Sequence, residues 1–117
     1  MEPRFKIHQQ TEVFSQKPIH FQITIMNKSV MIWVGRSQDG LGDLSVGMPA
    51  LGQNPVPAAS NLLTRDLSDV SVDLSRRLAL RYGQQFFVSM NLPSDDQLML
   101  AFVEKKISLI LKDILVN

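Results

Sequence analysis

The sequence predicts an α+β domain, a mostly antiparallel β-sheet with two helices packed on one face. Three observations lead there. From Ile19 to Gly35 apolar and polar residues alternate in two runs, as strands with one buried face do. Two later segments, 69–82 and 96–115, carry apolar residues at spacings of three and four, as amphipathic helices do. Between them, QQFFVSMNLPS alternates again before Pro93 ends it, which predicts a central strand. With 117 residues and 44% of them apolar, the chain is long enough to bury one core, so residues 1–117 are expected to form a single domain.

Taken in order, Phe5, Ile7 and Val13 suggest a first strand of undetermined register. The next two strands define their own pairing. If Asn27-Lys28 is a two-residue turn, Ile25 meets Val30, Ile23 meets Ile32 and Phe21 meets Val34, and a one-residue slip would set each apolar set against a polar one. GRSQDGLGD then reads as a loop, and Leu44, Val46 and Met48 as one face of a short strand. LGQNPVPAAS, with two prolines, argues for an irregular or edge segment.

In the first helix Leu67, Val70, Leu74 and Leu78 form the stripe, Ser68 or Asp69 can cap it, arginines lie toward its end and Gly83 stops it. The closing helix begins at SDDQ, with Ser94 as the expected cap. Leu98, Leu100, Leu109 and Leu115 widen its stripe beyond what one sheet needs.

Helices on one side leave the other sheet face to be covered by something else. Phe21, Ile23, Ile25, Val30, Ile32, Val34, Val46 and Val88 are expected to face the helices. The alternation then places His20, Gln22, Thr24, Met26, Met31, Trp33, Phe87, Ser89 and Asn91 on the second face, with no charge among them. Trp, Phe and Met are enriched at interfaces where Lys and Glu are depleted, so the pattern suits a partner. A loop or N-terminal segment of the same chain would satisfy the same residues, and periodicity does not separate the two.

Composition excludes several function classes. A net charge of +1 supplies none of the field that phosphate-backbone binding relies on, so nucleic acid is not an expected partner. There is no cysteine, hence no disulfide or thiolate chemistry, and a reducing compartment is compatible. The start, MEPRFKIHQQTEVF, has no apolar h-region, and no apolar run reaches the roughly 20 residues a membrane span needs, so no membrane association is expected.

Nor do the motifs support catalysis. GRSQDGLGD lacks the Lys-Ser/Thr of a phosphate loop, and Ser45 lacks the glycine two residues earlier that a nucleophile elbow requires. His8 and His20 have no helical partner at metal-ligand spacing. Asp66, Asp69, Asp95 and Asp96 stand at helix starts, where the dipole accounts for them, and RDLSDVSVDLSRR is the ordinary pattern of a solvated helix face, with docking a subordinate reading. No enzyme, cofactor or metal site is expected.

Particular residues add a resemblance. MIWVG at Met31 to Gly35, DLSVGMP at Asp43 to Pro49, LSRRLALRYGQQFFVSMNL at Leu74 to Leu92 and the closing LMLAFVEKKI together resemble the proteasome assembly chaperone 4 family, in the same order and over Phe21 to Ile107. Met90 and Ile32 stand where that family carries aromatics, and the first 18 residues and Leu51 to Ala59 match nothing in its pattern.

The resemblance implies a non-enzymatic, ATP-independent chaperone of the cytoplasm and nucleus. It implies a heterodimer with proteasome assembly chaperone 3, sheet packed on sheet with helices outside, that holds an α-type subunit while the α-ring of the core particle forms. Gln22, Thr24, Met26, Met31, Trp33, Phe87, Ser89 and Asn91 would then be the partner interface. Two other readings stay open on the residues themselves. One is a homodimeric scaffold or trafficking module using the same face. The other is a small ligand-binding α+β domain, which would need polar groups converging among the helix-facing aliphatics.

Overall fold

Residues 6–36, 40, 42–49, 58–63, 70–92 and 96–115 are described by a computed structural model. The alternating runs form β2 (Lys17–Met26) and β3 (Ser29–Gly35), antiparallel and in the register that apolar matching demands: Ile25 faces Val30, Ile23 faces Ile32 and Phe21 faces Val34. Phe21, Ile23, Val30, Ile32 and Val34 are all buried. Each such side chain contributes about 1.5–3 kcal/mol on leaving water, so the register is fixed by burial on one face.

The turn uses lysine where glycine is the favoured residue. Lys28, at its second position, holds φ at 64°, whereas Asn27 does not take a positive φ. A side chain there costs about 1–2 kcal/mol, part of which glycine returns to the unfolded chain. Lys28→Gly is therefore expected to stabilise the protein by about 0.5 kcal/mol, read as a Tm higher by about 2–3 °C. An unchanged or lower Tm would count against it.

β1 (Lys6–Phe14) pairs with β2 through a turn in which Ser15 and Gln16 both have positive φ, the conformation that matches strand twist in two-residue hairpins. Its register turns Lys6, His8, Gln10, Glu12 and Phe14 toward the side of Ile23 and Phe21, and Ile7, Gln9, Thr11 and Val13 toward the opposite side. After β4 (Leu44–Met48) comes β5 (Ala58–Leu63), an edge strand whose first three residues end the stretch read as an irregular or edge segment, and which extends to Leu63. Positions 50–57 lie outside the described residues.

Then follow α1 (Val70–Tyr82), β6 (Gln85–Met90) and α2 (Gln97–Ile114). The sheet order is β1-β2-β3-β6-β4-β5, with β6 central as expected and parallel to β3. The other pairings are antiparallel.

Both helices lie on one face. Phe14 of β1 meets Phe102 of α2 with ring centroids 5.1 Å apart, and Glu12 pairs with Lys106 at 3.3 Å. Across the sheet, Ser45 of β4 shares a 2.8 Å hydrogen bond with Ser71 of α1. Both contacts are on the side of Ile32 and Val88, where Leu74, Leu78, Ala79, Val103, Ile107 and Leu111 complete the core.

The helix ends follow backbone chemistry. Gly83 takes a φ of +66° and returns its N–H to Ala79 at 2.9 Å, closing α1. The cap of α2 is Asp96, accepting the Met99 N–H at 3.0 Å, rather than Ser94. Ser94, like the candidate caps Ser68 and Asp69, lies outside the described residues.

Of the leucines that widen the α2 stripe, Leu100 is buried and Leu115 half-buried, whereas Leu98 and Leu109 remain exposed. Glu12 sits below the usual carboxylate range because Gln10 donates to it and, secondarily, because Lys106 is near.

One side assignment is corrected. Val46 was expected to face the helices with Val88, but it stands opposite Phe87 on the second sheet face. The helix side of β4 belongs to Ser45 and Gly47, and both are buried. Small residues are needed there because the α1 backbone approaches closely: a Cβ on Gly47 would lie 2.2 Å from the Ser75 carbonyl oxygen. Hydropathy alone assigns the larger side chains to the core; backbone proximity reverses that for this strand.

Candidate partner interface

The second sheet face is built by strand alternation alone. Gln22, Thr24 and Met26 come from β2, Met31 and Trp33 from β3, Phe87 and Ser89 from β6. Cα pairing aligns them in rows: Thr24 beside Met31 beside Phe87 beside Val46, and Gln22 beside Trp33 beside Ser89. β4 adds Leu44 and Met48, and β1 adds Ile7, Gln9, Thr11 and Val13. Ile7, Val13 and Met48 are 60%, 63% and 45% exposed, so these outer strands enlarge the apolar content of the face rather than cover it.

Gln22, Thr24, Met26, Met31, Trp33, Phe87 and Val46 are half-buried, and no other described element lies over them. Among the described residues of β1, β2, β3, β4 and β6, no Asp, Glu, Lys or Arg points to this side; Lys6, Glu12 and Lys17 all take the helix side. Among these described residues His20 is the one titratable side chain on it, its Nδ1 2.9 Å from the Thr11 hydroxyl. Six strands spaced at ~4.8 Å, each rising ~3.3 Å per residue over about six residues, give a face of roughly 29 × 20 Å. That is the order of the ~800 Å² each partner contributes to a standard interface.

Two of the expected contact residues serve the protomer instead. Ser89 and Asn91 are buried. Asn91 sits just past β6; its side-chain amide donates to the Ser89 hydroxyl at 2.8 Å and the Val34 carbonyl at 3.2 Å, and its carbonyl oxygen accepts from Gly42 N–H at 2.9 Å. Asp43, also buried, accepts the Met90 N–H at 3.3 Å, and Trp33 donates its indole N–H to the Gly40 carbonyl at 3.1 Å.

These bonds clasp the described part of the β3–β4 connection to the end of the sheet and leave Ser89 and Asn91 no surface to offer. The surface they leave is carried by Val46, Leu44 and Met48, which sequence reasoning missed. Their period-2 signal was present, but which way it faced depended on the depth of α1.

A groove lies elsewhere, at the end of the sheet where the β1–β2 turn meets the start of α2, lined by Phe14, Ile19, Arg36, Leu92, Asp96 and Met99. Asp96 is engaged in capping α2. No group of three or more His, Cys, Asp or Glu side chains spaced to hold a metal occurs among the described residues, and no helix among them is long and apolar enough to cross a membrane.

Comparison with known proteins bears on the same residues. The family profile described as Proteasome assembly chaperone 4 matches residues 18–92, from β2 through the end of β6. Two curated relatives, both named Proteasome assembly chaperone 4, from Mus musculus and Homo sapiens, are each 32% identical over 89 residues, covering 76% of this chain and 71% of theirs. Among solved structures, a chain from "Crystal Structure of a Novel Chaperone Complex for Yeast 20S Proteasome Assembly" shares the fold with a TM-score of 0.71 at 22% identity, over 94% of this chain and 97% of that one. The matched span contains the strands β2, β3, β4 and β6 that form the uncharged face, and the chain belongs to the proteasome assembly chaperone 4 family.

Proposed function

We propose that this protein is a non-enzymatic chaperone of proteasome core-particle assembly. It acts as a heterodimer with a proteasome assembly chaperone 3-like subunit and holds an α-type subunit while the α-ring forms, in the cytoplasm and nucleus. The observation that carries the reading is the sheet face centred on Met31, Trp33 and Phe87, which among the described residues is uncharged and covered by no other element, and which is close to interface size. A second sheet laid on it about 10 Å away gives the layer arrangement in which such faces are normally buried.

Chaperoning of this kind needs only differential affinity. The dimer binds a surface that the incomplete ring presents and is displaced when later subunits take the same space.

Co-expression with a proteasome assembly chaperone 3-like protein is expected to yield a 1:1 complex by mass, and this complex is expected to retain α-type subunits from native extract. A monomer at every concentration and with every such partner would sink the proposal. A second copy of the chain is the other occupant, favoured by the neutrality of the face, which gives two copies no charge to repel. A homodimer that persists when the partner is present would select it.

A further inference from the structure

The charge absent from the sheet face is concentrated on the helical layer, and the two helices carry it differently. Of the six arginines, three stand on α1, which has no lysine; α2 has three lysines and no arginine. Arg76, Arg77, Leu80 and Arg81 are all exposed. Spacings of three and four make them one contiguous patch, with Leu80, 62% exposed, at its centre.

All three guanidiniums have a neighbour: Arg76 lies 3.8 Å from Asp73. Arg77 donates to Asp73 at 2.9 Å and to Glu104 of α2 at 2.7 Å, and Arg81 lies 5.7 Å over the Tyr82 ring. The Glu104 hydrogen bond, with its charge and that of Asp73, holds Arg77 still more firmly protonated. A merely solvated face gains nothing from Leu80, and lysine would serve it as well as arginine. Arginine is enriched at interfaces and lysine depleted, because the planar fork pairs with carboxylates in two places and loses less freedom in doing so.

We infer that the outer face of α1, Arg76, Leu80 and Arg81 with Arg77 behind them, is a second docking surface, and that it takes a folded protein partner presenting carboxylates around an apolar recess. The inference rests on the proposed function: if the sheet face is closed by the companion chaperone, the α-type subunit must be met elsewhere, and α1 is on the opposite side of the sheet, clear of that contact. The two surfaces then divide the work, an uncharged one for the permanent companion and a charged one for a subunit that must later be released. Charge pairs at a rim give fast, salt-sensitive association, which suits release.

The test uses the complex with the companion chaperone and, as probes, recombinant α-type subunits one at a time. Arg76→Gln/Leu80→Ser/Arg81→Gln is expected to leave the mass of the chaperone pair and its helix content unchanged and to weaken capture of the bound subunit at least about tenfold. Wild-type capture should fall as salt rises. Lys105→Gln/Lys112→Gln, which removes two positive charges from α2, is expected to leave capture unchanged.

Equal capture by the α1 variant, equal loss with the α2 variant, or loss of pairing together with capture would each overturn the inference. So would binding of the wild-type pair to phosphatidylserine vesicles that the α1 variant abolishes, which would make the patch a membrane contact. If the wild-type pair captures no α-type subunit at all, the proposed function itself fails, and this inference with it.

Discussion

Trp33→Asp is expected to abolish pairing through the sheet face while leaving the protomer folded. In the isolated chain Trp33 is half-buried between Gln22 and Ser89, and its indole N–H is tied to the Gly40 carbonyl. Losing that bond costs about 1 kcal/mol, and the new carboxylate remains in water. In the paired state the same carboxylate would be sealed into a face that has no cation among its described residues, and the indole's buried area would be gone.

Stranding a charge and removing an aromatic anchor together cost at least about 4 kcal/mol, roughly a thousandfold in affinity. Sedimentation of the co-expressed pair measures the association and circular dichroism the fold. Trp33→Phe separates the contributions: it keeps most of the apolar area, loses only the indole hydrogen bond, and should pair to within about tenfold of wild type. Undiminished pairing by Trp33→Asp would remove the sheet face from the interface.

How much of this was legible beforehand differs by element. The β2–β3 register could be read because both strands bury one face and leave the other half-wet, so the alternation carries its own error check. The uncharged second face could be read for the same reason, residue by residue, through Met31, Trp33 and Phe87.

Three things could not be read. β1 presents Ile7 and Val13 outward and His8, Gln10 and Glu12 inward, because α2 meets it with Lys106 as well as Phe102, and a polar partner inverts the usual pattern. β4 inverts it for a steric reason, the closeness of α1. Ser89 and Asn91 alternate correctly but are spent on the clasp beneath Gly40, Gly42 and Asp43, and no local spacing announces a hydrogen bond between positions 42 and 91. In each case the missing information belongs to a tertiary neighbour.

Gly47→Val is the substitution expected to damage the fold most directly, although it adds only apolar atoms to a strand. The backbone at Gly47 is extended and has no positive φ, so glycine is present for space and not for conformation. The first added carbon would stand 2.2 Å from the Ser75 carbonyl oxygen, 2.4 Å from its carbon and 2.9 Å from the Arg76 nitrogen, all main-chain atoms of α1 that no rotamer change can move aside.

Ordinary contact requires the helix to retreat by roughly 1 Å, and interiors packed at crystal density do not absorb that locally. The retreat would stretch the buried Ser45–Ser71 hydrogen bond and loosen Leu74, Leu78 and Ala79 from the core. Gly47→Ala is therefore expected to cost about 2–4 kcal/mol and lower Tm by about 10 °C. Valine, with two further methyls, approaches the 5–15 kcal/mol that hold a domain of this size together and should leave little folded protein.

Because Val46 flanks Gly47 on the other side of the strand, pairing should decline in step with stability in the alanine variant, unlike Trp33→Asp, where association fails and the melt does not. A Gly47→Ala protein that melts within about 1 °C of wild type would mean that α1 does not sit on β4 as closely as the Ser75 approach requires.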